Sequence, residues 1–123
     1  MTLVDTSVWI DHLHDRDAEL QAMLIDAKVM IHPFVIGELA VGSLRQRKTI
    51  LGSLAKLPQA VVAHDDEVLR LIEEESLHGT GIGYIDSHLL ASTRLTNGGT
   101  LWTRDLRLAS AAARLGLAIG LPH

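Results

Sequence analysis

The opening stretch, Met1 to Asp11, reads M-T-L-V-D-T-S-V-W-I-D and restricts the possible folds of this chain more than any other segment. Thr2, Leu3 and Val4 are β-branched or apolar and suit a short buried strand, which stops abruptly at Asp5, Thr6 and Ser7. Those polar groups precede Val8, Trp9 and Ile10, so Thr6 or Ser7 is expected to cap a helix. In an open α/β sheet, the place where a strand ends and a helix begins is where ligands bind. Asp5 by itself does not separate a functional carboxylate from a capping one, because Asp at a helix start is common.

The rest of the chain repeats that grammar. Leu20, Met23, Leu24 and Ala27 follow the i, i+3, i+4, i+7 spacing of a helix packed on a sheet. Val29, Met30 and Ile31 make a second buried strand, and Pro33 sits at the first turn of the next helix. That helix, with Phe34, Val35, Ile36, Leu39, Ala40, Val41 and Leu44, is apolar nearly all round and is expected to be mostly buried. Glu38 is the one charge between Pro33 and Leu44, so it lies on a narrow solvent stripe or faces a positive partner.

Arg45, Arg47 and Lys48 precede a helical run through Ile50, Leu54 and Leu57 to Pro58. Such a cluster reads first as a solvated helix end and second as a phosphate-contacting patch. Val61, Val62 and Ala63 suit a short strand, after which Asp65 or Asp66 caps a helix with Val68, Leu71 and Ile72 inward and Glu73, Glu74 and Glu75 outward.

The loop His78-Gly79-Thr80-Gly81-Ile82-Gly83 follows a helix, lacks the Lys-Ser/Thr of a P-loop and has the wrong spacing for a dinucleotide site, so no nucleotide cofactor is expected. Its Gly79 is expected to end that helix before another runs from Tyr84 to Leu95 with Asp86 in its first turn. Asn97-Gly98-Gly99 is a turn, and Thr100 to Thr103 forms another strand, followed at once by Arg104 and Asp105. Leu108, Ala112 and Leu115 mark the inner face of the helix after it, and Leu117 to Leu121 suits a last edge strand. If the first strand and Thr100–Thr103 share one parallel sheet, they bring Asp5 and Asp105 to the same edge.

Composition bounds what such a chain does. Its 123 residues fit a single domain, 1–123, able to bury roughly 65 to 70% of its unfolded surface. With no cysteine there is neither a disulfide framework nor a thiolate metal site, in keeping with a reducing compartment. No signal-like start and no apolar run near the roughly 20 residues of a membrane span are present, so the expectation is a cytoplasmic protein with no membrane partner. An apolar fraction of 47% with only 3% aromatic is high for a small monomer and points to a homodimer or a second protein covering aliphatic surface. A formal charge of −4 argues against a general nucleic-acid coat, although basic clusters or bound cations can reverse the field at one site.

Asp5, Glu38, Asp86 and Asp105 each occupy a strand end, a helix first turn or an otherwise apolar helix, and this topology carries them toward one crevice. Two carboxylates 4 Å apart repel by about 4 kcal/mol at an effective dielectric near 20. Such a cluster either takes up protons or recruits cations, and oxygen ligands without thiolates select Mg²⁺ or Mn²⁺. Ions of that kind activate water and stabilise leaving oxygens, which is the chemistry of phosphodiester hydrolysis.

The segments D-T-S after the first strand, G-E-L on an apolar helix, G-I-G-Y-I-D-S-H-L-L-A and L-W-T-R-D, in that order, resemble the VapC toxins of the PIN-domain ribonucleases. The resemblance implies a three-layer α/β/α PIN-like fold with a short-stranded, mostly parallel central sheet. It further implies a Mg²⁺-dependent endoribonuclease toxin of a type II toxin-antitoxin system, which cuts RNA involved in translation, forms a homodimer and is neutralised by a cognate antitoxin. Carried over by motif, the catalytic and metal-binding set falls on Asp5, Glu38, Asp86 and Asp105, with Thr6, Ser7 and Thr103 as polar support. Arg45, Arg47, Lys48 and Arg104 are the candidates for holding the RNA backbone. Where many relatives place an aromatic residue soon after the last acid, this chain has Leu106 and Leu108, which bears on packing rather than chemistry.

Two other readings fit the residues less well. A histidine mechanism has seven histidines to draw on, His88 lying close to Asp86 in sequence, but His12 and His14 point to different helix sides and no H-E-x-x-H spacing occurs. The other is a catalytically idle interaction module whose acids are caps and whose aliphatic surface binds a partner.

Overall fold

A computed structural model describes residues 1–120. Its centre is a three-stranded parallel sheet made of β1 (Thr2–Val4), β2 (Val29–Met30) and β3 (Thr100–Trp102), in the order β2-β1-β3. Around it lie α1 (Thr6–His14), α2 (Ala18–Ile25), α3 (Pro33–Val41), α4 (Arg47–Ala55), α5 (Asp65–Glu74), α6 (Tyr84–Leu95) and α7 (Leu106–Arg114), giving the expected three-layer α/β/α arrangement. The strands are too short to alternate inward and outward residues. All of β1 and β2 is buried, as parallel strands covered on both faces require. Leu3, Val4, Val8, Met30, Ile31, Leu89, Leu90, Leu101 and Leu108 fill the centre of the core.

Both outer edges of the sheet are closed by single bridges rather than full strands. Beyond β2, Ile31 pairs with Gln59, and the expected strand at Val61–Ala63 does not form. The backbone N–H of Val61 instead donates to Thr96 Oγ1 and that of Ala63 to Ser92 Oγ, so α6 hydroxyls take the hydrogen bonds a strand would have supplied. Beyond β3, Leu101 pairs with Ala118, and Leu101 accepts from Ile119 N–H while donating to Leu117 C=O. The expected edge strand at Leu117–Leu121 is thus one bridge within the described residues, with Leu121 outside them.

Several helix boundaries fall where tertiary contacts put them. Asp5 occupies the cap position of α1, one residue before the predicted Thr6 or Ser7, because both hydroxyls are drawn to carboxylates. Ala27 lies past the end of α2 with φ 56 and is exposed, rather than on its inner face. His32 caps α3, its Nδ1 accepting from Phe34 N–H at 3.0 Å. That helix ends at Val41 and buries only Val35 and Leu39 fully; Val41 is 89% exposed, so the expectation of a mostly buried helix fails.

At the start of α5 the cap position belongs to His64, whose N–H donates to Glu67 Oε1, and Asp65 is left free for other contacts. The end of α5 is turned by Ser76 at φ 51, with Leu77 N–H reaching back to Ile72 C=O, so Gly79 is not the terminating residue. Gly99 is fixed by space between α6 and β3: a Cβ there would lie 2.6 Å from the Thr93 carbonyl oxygen and 3.0 Å from that of Thr96. Only glycine lets the chain leave α6 and enter β3 this tightly.

Candidate active site: four carboxylates at the strand ends

Parallel pairing sets the site. Thr2, Leu3 and Val4 lie opposite Thr100, Leu101 and Trp102, and the register continues as Asp5 N–H donates to Trp102 C=O at 2.9 Å. Asp5 and Thr103 therefore emerge side by side at the carboxyl end of the sheet. Asp5 is buried, and although it stands at the cap position of α1, its side chain makes no capping bond. Its Oδ2 accepts instead from Thr103 Oγ1 at 2.7 Å and Ser7 Oγ at 2.9 Å. These two hydroxyls fix the rotamer of a carboxylate that would otherwise be an unsatisfied buried group. The capping explanation of Asp5 is thereby removed.

The other acids arrive from different elements. Packing of α3 on α1 brings Glu38 to the start of α1, where Thr6 Oγ1 donates to its Oε1 at 2.8 Å. Glu38 is exposed and meets a hydroxyl rather than a cation. Asp105 follows β3 and does cap a helix, its Oδ1 accepting from Leu108 N–H at 2.9 Å, while its own N–H donates to Thr103 Oγ1 at 3.1 Å. Asp86 is half-buried in the first turn of α6.

Burial raises the Asp86 carboxyl above its ordinary value, and the charges of Asp5 and Asp105 push the same way, Glu38 adding a smaller push against the opposing Gly83 backbone. The Asp86 carboxyl is thus shifted by the charges of the other three sequence candidates, Asp5 and Asp105 ahead of Glu38. Among the described residues, no three acidic or imidazole groups already enclose a cation-sized space. The donor set suits a hard divalent ion: carboxylate and hydroxyl oxygens, with no thiolate in the chain.

The basic candidates divide. Arg45, Arg47 and Lys48 lie on the surface, and Arg45 and Glu38 line one groove of about 450 Å³ together with Ile10, Leu13 and Ile50. Arg104, by contrast, is engaged: its guanidinium pairs with Asp11 and Asp17 and lies 5.7 Å from the Trp102 ring centroid. Sequence reading missed Asp11 and Asp17. Asp17 carries a helix-cap signal, and it does cap α2, but nothing in the spacing announces a pair between residues so far apart in sequence.

Three of the histidines are committed elsewhere. His12 Nδ1 accepts from Asp17 N–H, His32 bonds Ser92, and His88 Nε2 bonds Asp65 Oδ1 at 2.9 Å, an oxygen shared with the Tyr84 hydroxyl. The partner of His88 is therefore Asp65, not Asp86. Among the described residues no helix is long and apolar enough to cross a membrane.

A short parallel sheet with acids converging at its carboxyl edge defines a class that sequence comparison also identifies, since a family model of the PIN domain matches residues 2–114. The chain belongs to the PIN-domain family, and within it to the VapC group. Ribonuclease VapC32 of Mycobacterium tuberculosis, from both strain CDC 1551 / Oshkosh and strain ATCC 25618 / H37Rv, is 50% identical to it over 119 residues, 97% of this chain and 96% of the relative.

Proposed function

We propose that this protein is a Mg²⁺-dependent endoribonuclease, the toxin of a type II toxin-antitoxin pair, which hydrolyses RNA phosphodiester bonds in the cytoplasm and so inhibits translation. The observation that supports the proposal is the pairing of β1 with β3, which sets Asp5 beside Thr103 and Asp105 at one end of the sheet, while Thr6 at the start of α1 binds Glu38. A relative named as a ribonuclease, identical at half of the aligned positions, supports the same reading. Asp5, Glu38, Asp86 and Asp105 would hold Mg²⁺, with Mn²⁺ substituting. When bound, such an ion lowers the pKa of water and stabilises the leaving oxygen.

The chain's own groups do the positioning. Ser7 and Thr103 present Asp5 in one rotamer, Thr6 holds Glu38 toward the start of α1, and the α7 cap holds Asp105. With carboxylates as the working groups, the RNA 2′-hydroxyl is not needed as nucleophile, so the products carry a 5′-phosphate and a 3′-hydroxyl. Arg45, which lines a groove with Glu38, and its exposed neighbours Arg47 and Lys48 would hold the RNA backbone.

Val41 at 89%, Leu106 at 85% and Ile25 at 76% exposure are the surface a partner would cover. We assign that role to a second copy in a homodimer and to the cognate antitoxin, testable as a dimer mass by light scattering of the purified protein. Mass spectrometry of fragments from a structured RNA, with and without EDTA, tests the chemistry: cleavage that needs Mg²⁺ and leaves 5′-phosphates is expected. Cyclic 2′,3′-phosphate ends, or cleavage surviving the chelator, would sink it. A protein that never cuts RNA would favour the idle interaction module.

A further inference from the structure

Arg104 lies between Thr103, which touches Asp5, and Asp105, which caps α7. Its side chain does not extend freely into solvent. One guanidinium nitrogen, Nη1, donates to Asp11 Oδ2 on α1, and the other, Nη2, donates to Asp17 Oδ2 at the start of α2. Asp17 is a rigid acceptor, because its second oxygen caps α2 through Leu20 N–H and its backbone N–H is taken by His12 Nδ1. The guanidinium also lies 5.7 Å from the centroid of Trp102, at the end of β3.

The backbone of Arg104 is tied to the same helix. Its N–H donates to Ser7 Oγ at 3.0 Å, and that hydroxyl donates to Asp5 Oδ2. Ser7 and Asp11 are four residues apart in α1 and so lie one above the other on one helix face. Arg104 therefore grips α1 at two levels, with its backbone beside Asp5 and its side chain one turn further on. We propose that Arg104 is a positioning residue, a clamp that holds the Thr103–Asp105 segment against α1 and so fixes Thr103 and Asp105 relative to Asp5. Its link to turnover rests on the acidic crevice being the reaction centre.

The chemistry requires arginine. A planar guanidinium reaches two carboxylates at once, which the point charge of a lysine does not reproduce. With two carboxylates compensating it, the guanidinium also has little charge left for a phosphate, so this reading and RNA-backbone binding by Arg104 make different predictions. Because exposed ion pairs add little to global stability, Arg104→Gln should fold, and Asp11→Asn provides a second variant that cuts only one arm of the clamp.

The test is amide hydrogen exchange by NMR on the metal-free protein. In Arg104→Gln the N–H groups of position 104 and of Asp105 should exchange at least about tenfold faster, as their hydroxyl acceptors loosen, while Leu101 N–H, bonded to Leu117 C=O in the sheet, stays protected. Asp11→Asn and Arg104→Lys should fall between the parent and Arg104→Gln. Unchanged exchange at both amides would overturn the clamp, whatever the protein's activity. On a structured RNA, Arg104→Gln should lower kcat about tenfold with KM and its salt dependence kept, whereas a phosphate ligand would raise KM and reduce the salt slope by about 1. That second pattern would also overturn the clamp. A parent protein that cuts no RNA would fail the functional proposal alone, since the amide exchange still decides the clamp.

Discussion

Replacing His32 by asparagine should remove a pH dependence of folding that the structure makes large. His32 is fully buried between α3 and α6, with Nδ1 accepting from Phe34 N–H and Nε2 at 3.0 Å from Ser92 Oγ. An accepting Nδ1 leaves the proton on Nε2, so Nε2 donates to Ser92. Burial, reinforced by the nearby His88, lowers the imidazole from 6.5 to about 4. Protonation would turn Nδ1 into a donor facing the Phe34 N–H and break the α3 cap.

The sign follows from linkage. Above pH 6.5 the side chain is neutral in both folded and unfolded chains, and the full stability is present. As pH falls, the unfolded chain takes up a proton that the folded one refuses until about pH 4. At 1.36 kcal/mol per pH unit, that window from 6.5 to about 4 corresponds to a loss of about 3 kcal/mol. Asparagine is a good cap and keeps an oxygen for Phe34 N–H, but it does not titrate.

Urea denaturation of both proteins in EDTA, from pH 7.5 down to 4, measures the difference, and groups common to both cancel. The parent should lose about 3 kcal/mol relative to the His32→Asn variant across the range, equivalent to roughly 12 °C in Tm for a domain of this size. Parallel curves, agreeing within about 0.5 kcal/mol at every pH, would refute the reasoning. The effect bears on the site because the capped helix, α3, is the one that delivers Glu38.

Asp86→Asn should melt higher than the parent at neutral pH in EDTA. A raised carboxyl penalises the fold above its folded pKa and stops doing so below the ordinary carboxylate range, so the advantage shrinks as pH falls toward 4; thermal melts showing no advantage at pH 7 would deny the crowding. The same variant should lose RNA turnover. Mg²⁺ or Mn²⁺ should stabilise the parent by about 2.7 kcal/mol at a hundredfold excess over Kd, with Asp5→Asn blunting the gain, as read by metal titration in differential scanning fluorimetry. Gly99→Ala drives a methyl group to 2.6 Å from the Thr93 carbonyl oxygen and should cost about 1 to 3 kcal/mol in urea melts. A value near zero would show that the α6–β3 turn yields.

Sequence alone carried much of this protein's architecture because its signals are local. Thr2–Val4 and Thr100–Trp102 are short apolar runs ending in Asp-Thr or Thr-Arg-Asp, and the two strands proved to be parallel neighbours that deliver Asp5 and Asp105 to one edge. The bounds of Tyr84–Leu95 followed from a glycine-rich loop before it and Asn97-Gly98-Gly99 after it. The family was legible in the order of its motifs.

Tertiary structure decided whatever depends on residues far apart in the chain. Local composition assigned Val61–Ala63 to a strand, but Ser92 and Thr96 took its backbone donors. Apolar composition made α3 look buried, yet a helix can be covered only on the face its neighbours reach, and Val41 is left in solvent. Asp5 and Asp105 occupy equivalent positions and read alike as possible caps, but only packing reveals that Asp105 caps its helix while Asp5 gives its oxygen to Ser7 and Thr103. Arg104 read as a free cation for phosphate because its partners, Asp11 and Asp17, lie some ninety residues away. Sequence names the charges, and the fold determines which of them meet.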